Sequence, residues 1–296
     1  MTQHVTVPAY AEFIHHKFAE LLVAYDFSEA ADSSLKYAVM LAKRFGSFIH
    51  LVGVHSPAAY AGALEAGHLS QHDLLLDLQE LEARLRAEGL GCDSVRRIGN
   101  LSDTIEGLVL ERKPDLLLLG AYGYGPSDRR HLGSTAEHLL RTIRCPALVI
   151  GPHALVHADE APGLKRILCA TSSLENPEDT LRFAGNLARQ MKAELEIVHI
   201  IDVTQKNVSP KHNEQHCEEW AGKLRDQGIT VSCKVMAGRA EEAIAARAGA
   251  SDSSLILFGL HRSGNKMVDC PDGVVSATIH QARCPVMAVP PAFAGK

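Results

Sequence analysis

Aromatic residues are scarce: Phe, Trp and Tyr together make up 5% of the 296 residues, with a single Trp. A base-stacking surface for single-stranded nucleic acid therefore has little to be built from. Basic residues are also in deficit. Thirty Lys and Arg face 35 Asp and Glu, a formal charge of −5, whereas a nucleic-acid groove draws most of its affinity from a basic surface. Long apolar runs are missing. Stretches such as Leu116-Leu117-Leu118-Leu119 fall far short of the roughly 20 residues that cross a bilayer. The N-terminal segment carries His4, Glu12, His15 and His16 in place of a basic stretch and an apolar run, so no signal peptide is readable. The seven cysteines form no C-x-x-C pair and are odd in number. Free thiols in a reducing, cytoplasmic setting are the expectation. What is present, 46% hydrophobic and 22% charged residues, suits a chain that buries cores, and its length suggests about two domains.

Self-comparison resolves those domains as one unit written twice. Leu21-Leu22-Val23-Ala24-Tyr25-Asp26 lies over Ile167-Leu168-Cys169-Ala170-Thr171-Ser172 at an offset of 146 residues, and the match continues through Leu35/Leu181, Ala38/Ala184 and Leu41/Leu187. A second block, at an offset of 139, aligns Gly89/Gly228, Gly99/Gly238, Ile105/Ile244, Gly120/Gly259 and Cys145-Pro146/Cys284-Pro285. The second copy is thus seven residues shorter between its second strand and this block. The boundaries expected are 1–151 for the first domain, 152–163 for a linker and 164–296 for the second.

Within each copy the periodicity alternates. Short apolar runs (21–24, 49–54, 116–119 and 147–150) read as strands buried on both faces. Leu35, Ala38, Val39 and Ala42 recur at helical spacing, as do Leu74, Leu78, Leu81 and Leu85 before Gly89, and Cys217, Trp220, Ala221 and Leu224 before Gly228. Asn176-Pro177 reads as a helix cap followed by proline at the first helical position. Strands alternating with helices in this way imply an α/β fold of two doubly wound parallel sheets in tandem.

Ligands of such sheets bind beyond the carboxyl ends of the strands, where the strand order reverses. In the first copy the strand at 116–119 runs into Gly120-Ala121-Tyr122-Gly123-Tyr124-Gly125, and Gly133-Ser134-Thr135 then opens a helix. Glycines let the backbone turn tightly and approach a ligand closely. Free N–H groups and two hydroxyls at a helix start form a natural phosphate site. Asp26 ends the first strand on the same edge, where it could accept hydrogen bonds from a ribose or base.

The run Leu21–Asp26 followed by Ser28-Glu29, the Gly120…Gly133-Ser134 loop and the Cys-Pro before each last strand resemble universal stress protein domains over nearly the whole chain. The resemblance implies two five-stranded sheets of order 3-2-1-4-5, paired about a pseudo-twofold axis with Ala147–Ile150 antiparallel to Val286–Val289. It also implies a loop that holds the phosphates of ATP, with or without Mg2+. On this basis the nucleotide-binding residues are Ala24, Tyr25, Asp26 and Val54 at strand ends, Gly120, Gly123, Tyr124 and Gly125 in the loop, and Gly133, Ser134 and Thr135 at the helix start. One departure is Tyr124, where family loops often carry a basic residue; Arg129 or Arg130 is available instead.

In the second copy Arg262 replaces Gly123, Asp272 replaces Gly133, Gly273 replaces Ser134 and Ser172 replaces Asp26. A side chain at 262 would crowd the backbone approach, and Asp272 would oppose a phosphate. The second domain is therefore expected not to take ATP, with Arg262 and Asp272 free to pair. Among the 16 histidines, His68 and His72 lack a third ligand at a diagnostic spacing, so no metal is expected. His199 and His55 read as core or rim residues, with a ligand contact open for His55, and Cys145, Cys284 and Trp220 read as core. The S-G-G-x-D-S loop of adenine nucleotide alpha hydrolases and the H-I-G-H signature of nucleotidyltransferases are absent. No catalytic residue is assigned, and at most slow ATP hydrolysis is expected. The implied role is a cytoplasmic stress sensor or adaptor, with a stress-response scaffold that binds no nucleotide or a different ligand as the alternative. Nucleic acid and membrane are not expected partners; a homodimer stays open.

Overall fold

The computed structural model describes residues 18–55, 71–123, 132–142, 144–171, 178–201, 210–263, 266–268 and 273–291. The first half runs β1 (Glu20–Ala24), α1 (Glu29–Phe45), β2 (Phe48–His55), α2 (Gln71–Ala87), β3 (Gly91–Ile98), α3 (Leu101–Arg112), β4 (Leu116–Gly120), α4 (Ser134–Thr142) and β5 (Ala147–Ile150). The second runs β6 (Arg166–Thr171), α5 (Glu178–Met191), β7 (Glu194–Ile201), α6 (Pro210–Arg225), β8 (Val231–Ala237), α7 (Ala240–Ala250), β9 (Leu255–Gly259), β10 (His261–Ser263), β11 (Lys266–Val268), α8 (Val274–Gln281) and β12 (Val286–Val289).

Local chemistry sets the boundaries. Ser28 caps α1, its Oγ accepting from the Ala31 N–H at 3.2 Å. Glu29 and Asp32 lie in the first turn and Lys43 and Arg44 in the last, each sign where the helix dipole favours it. Gly46 ends the helix at φ +71°, returning its N–H to the Ala42 carbonyl. The Leu78, Leu81 and Leu85 stripe of α2 is buried, and Gly89 follows at φ +84°. Leu74 belongs to the same helix. The proposed cap at Asn176-Pro177 lies outside the described residues.

The first half has the expected order β3-β2-β1-β4-β5, and the second repeats it in reverse as β12-β9-β6-β7-β8. Pairing is parallel within each half. At the centre β5 and β12 pair antiparallel, Val149 opposite Val286 and Leu148 opposite Met287, so the two five-stranded sheets merge into one of ten strands. The cores merge too. One face packs α1, α2, α5 and α6 over Leu21, Val23, Leu116, Ile167 and Met287. The other packs α3, α4, α7 and α8 over Leu22, Leu117, Ile256 and Val286.

Two further features tie the halves. The connection between β5 and β6 lies against α1: the Val156 N–H donates to Ser33 Oγ at 2.9 Å and Lys36 Nζ donates to the Val156 carbonyl at 2.8 Å. At the exit of β5, a Cβ on Gly151 would stand 2.0 Å from the Ile279 carbonyl oxygen of α8. Only glycine permits that approach.

At the opposite end from the carboxyl edge, polar groups fill the sheet face. His50 sets Nε2 2.8 Å from Glu20 and Nδ1 2.7 Å from Asp93, and Arg112 closes on Asp93 at 2.8 Å. Burial pushes the Asp93 carboxyl up, but the hydrogen bonds from Arg112 and His50 outweigh it and hold the group below its usual range. In the second half Glu196, at the position equivalent to His50, is buried against Arg247 at 2.6 Å.

Candidate functional site

The strand order of the first half reverses between β1 and β4, the place where a ligand crevice is expected. Tyr25 extends β1 by one residue, its N–H donating to the Val52 carbonyl at 2.8 Å. Ala24 pairs with Val52, so Val54 lies two residues further along the same edge. The chain then turns sharply. Phe27 takes the left-handed conformation at φ +62°, rare for a bulky side chain, and its ring meets the edge of Tyr25 with centroids 4.9 Å apart. The turn sets Asp26 over the start of α1, where its Oδ1 accepts from the Ser28 N–H at 3.1 Å and the Ser28 hydroxyl at 2.6 Å. Ser28 thus both caps the helix and holds Asp26.

The glycines of the loop converge on the same edge. A Cβ on Gly120 would lie 2.7 Å from the Ala30 Cβ, so the first turn of α1 packs directly onto the end of β4. A Cβ on Gly123 would lie 2.8 Å from Asp26 Oδ2. A Cβ on Gly133 would lie 2.8 Å from the Ala121 carbonyl oxygen, which accepts the Gly133 N–H at 3.0 Å. Both ends of the loop are therefore cinched at Ala121, and the Ala121 N–H itself donates to the Ile150 carbonyl at 2.9 Å. Ser134 opens α4 and is exposed; Thr135 follows, half-buried. The Glu137 N–H returns to the Gly133 carbonyl. The N–H groups of 134–136, in the first turn, have no acceptor within the helix.

Asp26, Gly120, Gly123 and Gly133 are thus brought to one strand edge, with Ala24, Tyr25 and Val54 beside them and Ser134 and Thr135 at the adjoining helix start. Tyr124, Gly125, Arg129 and Arg130 lie outside the described residues. Tyr25 turns its hydroxyl away to Asp32; burial, then that hydrogen bond, pushes the phenol well above its ordinary value. His55 is engaged by Arg96, whose guanidinium donates to Nε2 at 2.6 Å. Burial first, then the Arg96 charge, lowers its pKa, so the ring is neutral at pH 7. The sequence pattern did not single out Ala30, Phe27 or Gly53, where a Cβ would meet Leu78 at 2.6 Å. The only signal available was the small size of residues 30 and 53.

The second half fills this region differently. His199, at the position equivalent to Gly53, is buried and donates from Nδ1 to the Thr171 carbonyl at 3.1 Å. A Cβ on Gly259 would fall 1.9 Å from Thr180 Oγ1, so α5 covers the glycine equivalent to Gly120. In place of the loop a two-stranded hairpin forms, with Arg262 paired to Met267. Asp272 lies outside the described residues, and with it the proposed pairing to Arg262. Gly273, equivalent to Ser134, caps α8 at φ +83° without a side-chain hydrogen bond.

Elsewhere Cys145 and Cys284 are buried, their thiols pushed up to about 12 by burial. Trp220, expected in the core, is only partly buried at the core's rim. Among the described residues no group of three or more His, Cys, Asp or Glu could hold a metal ion, and no helix is long and apolar enough to cross a membrane.

A family model described as the universal stress protein family matches residues 17–151 and 163–290. A universal stress protein of Methanocaldococcus jannaschii is 23% identical over 139 residues, covering 45% of this chain and 82% of that protein. Among solved structures, a universal stress protein from Archaeoglobus fulgidus is similar over 93% of this chain and 97% of its own, with a TM-score of 0.70 and 16% identity. A functionally unknown protein of Pseudomonas aeruginosa is similar over 95% of this chain and 96% of its own, with a TM-score of 0.68 and 17% identity.

Proposed function

We propose, from the premise that this chain belongs to the universal stress protein family, that its first domain binds ATP and that occupancy of that site is what a cytoplasmic stress sensor or adaptor reads. One observation carries the reading: a Cβ on Gly123 or Gly133 would meet Asp26 Oδ2 or the Ala121 carbonyl at 2.8 Å. Glycine there lets the backbone pack closely against Asp26 and Ala121 at a strand-order reversal, beside a helix start. N–H groups at such a start hold anions without basic side chains, which agrees with the net charge of −5. Phosphates would lie against Gly123, Gly133, Ser134 and Thr135. Asp26, already oriented by Ser28, would take ribose or base. The nucleotide is read with or without Mg2+, and as a bound signal; turnover, where present, is slow.

The second domain is read as nucleotide-free. Thr180 stands over Gly259 where Ala30 covers Gly120, the His199 ring replaces Gly53, and a hairpin stands where the loop does.

Purified protein analysed for co-purified nucleotide and then titrated with ATP tests the reading. One nucleotide per chain is expected. Gly123→Arg, which copies the second half, should abolish binding; ATP binding that survives it at wild-type affinity would overturn the assigned loop. Protein that carries no nucleotide and takes up no millimolar ATP is the scaffold of the alternative reading. Phosphate release above the Gly123→Arg background would mark slow hydrolysis.

A further inference from the structure

Tyr122 stands between the first two glycines of the loop, yet it is buried, with 8% of its surface exposed. Its hydroxyl lies 3.0 Å from Nδ1 of His280, on the last helix of the second domain. This hydrogen bond joins the candidate loop of one half to the other half of the chain. Around it the halves touch repeatedly. Gly151 sits under the Ile279 carbonyl, next to His280 in sequence. The His153 ring, from the connection, meets His280 with centroids 6.1 Å apart. Tyr122, Leu132 and Ala136 share one apolar core with Val274, Val275 and Ile279. Strand β11 packs against α4, the helix whose start completes the site.

We propose that His280 is a positioning residue for the first domain's site, holding the two ends of the glycine loop, at Ala121–Gly123 and at Gly133, through Tyr122. The second domain, having no glycine loop of its own, then serves as the brace for the first. The mechanical route is short. Tyr122 follows Ala121, whose N–H is tied to Ile150 and whose carbonyl takes the Gly133 N–H. Fixing the Tyr122 ring fixes Ala121, and Ala121 fixes both ends of the loop. Releasing the hydroxyl from His280 removes a polar anchor that crosses between the halves, from a ring packed in their shared apolar core. The loop would then sample geometries in which Gly123 leaves Asp26. This inference rests on the reading of the loop as a nucleotide site, and its test separates the two.

Full-length protein is compared as wild type, His280→Leu, His280→Asn, Tyr122→Phe and the Leu/Phe double variant. Amide exchange without nucleotide reports the brace. His280→Leu and Tyr122→Phe should each raise exchange at Ala121 and Gly133 about fivefold, and the double variant should add little. His280→Asn keeps a polar atom at the δ position and should restore protection. Amides of β2 serve as the unchanged reference. ATP affinity should fall in the same order and by a similar factor. Unchanged loop exchange in either single variant, additive effects in the double, no rescue by Asn, or raised exchange with unaltered ATP affinity would each overturn the brace. Wild type that takes up no ATP defeats the nucleotide reading alone, because the exchange measurements still decide whether His280 holds the loop.

Discussion

Gly123 and Gly133 face different kinds of neighbour, and this separates binding from folding at single residues. An added Cβ at 123 meets the end of a carboxylate side chain, which can swing away; at 133 it meets the Ala121 backbone carbonyl, which cannot. Gly133→Ala should therefore cost about 1–3 kcal/mol of stability, whereas Gly123→Ala should leave the denaturation midpoint nearly unchanged. ATP affinity should fall in Gly123→Ala all the same, because the displaced group is Asp26. Denaturant titration beside ATP titration checks both, and equal midpoints for the two variants would contradict the geometry. His199 allows a second test at this scale. Burial lowers its pKa, against a smaller opposing effect of its hydrogen bond to Thr171. The unfolded chain then takes a proton first as pH falls below about 6.5, so stability is full above that value and lost below it. The melting temperature should drop between pH 7.5 and pH 5.5. His199→Asn, which keeps a donor for Thr171 without a titrating ring, should drop by a few degrees less. A pH dependence identical to wild type would assign the acid sensitivity elsewhere, His55 being the next group with the same direction of shift.

At the scale of elements, the cap of α1 links folding to the site most directly. Ser28→Ala removes the acceptor for Ala31 and the hydroxyl that donates to Asp26. Loss of such a cap costs about 1 kcal/mol, visible as a lower denaturation midpoint. ATP binding should weaken beyond that, since Asp26 keeps the Ser28 N–H but loses the shorter bond from the Ser28 hydroxyl, while Ser28→Thr should keep both properties. Ser28→Ala with a lowered midpoint and intact ATP affinity would detach Asp26 from the nucleotide. The strands and the repeat were legible in the sequence because each has a local cause. Apolar runs of four to six residues read here as covered strands, whereas the cap at Ser28 was not singled out. The hairpin His261–Ser263 with Lys266–Val268 was not legible, because strands of three residues carry too little alternation to register. Nor was the exposure of Trp220. It falls on the apolar stripe of α6, but Cys217, Ala221 and Leu224 fill the contact with the sheet. The indole is left at the rim under Lys223, whose Nζ lies 3.8 Å from the ring centroid. The candidate site divides the same way. The glycine spacing named the loop, but the contact of Gly123 with Asp26 and the bond of Tyr122 to His280 join residues about 100 and 160 positions apart, which only the folded chain reveals.

For the whole molecule, the β5–β12 seam decides whether either half can exist alone. Ala147, Leu148, Val149 and Ile150 are each at most 1% exposed, and the antiparallel partner of β5 is the equivalent strand of the other copy. Cutting the chain after residue 151 would bare that strand's hydrogen-bonding edge and two continuous core faces. A bare edge strand of this kind pairs with whatever matches it. The best match available is a second copy of the same strand, because an antiparallel pair around a twofold axis is self-complementary. Residues 1–151 expressed alone should therefore form a homodimer through β5, while the full chain, whose β5 is already paired, should not use that edge between molecules. Light scattering of both proteins checks this, with a charged substitution, Val149→Lys, expected to disperse the truncated dimer. A stable, soluble monomer of 1–151 would show that the seam is dispensable. If the dimer forms, it also offers a comparison with His280: it retains Tyr122 but has no His280 to hold it, so its loop amides should exchange faster than those of the intact chain despite an equivalent sheet.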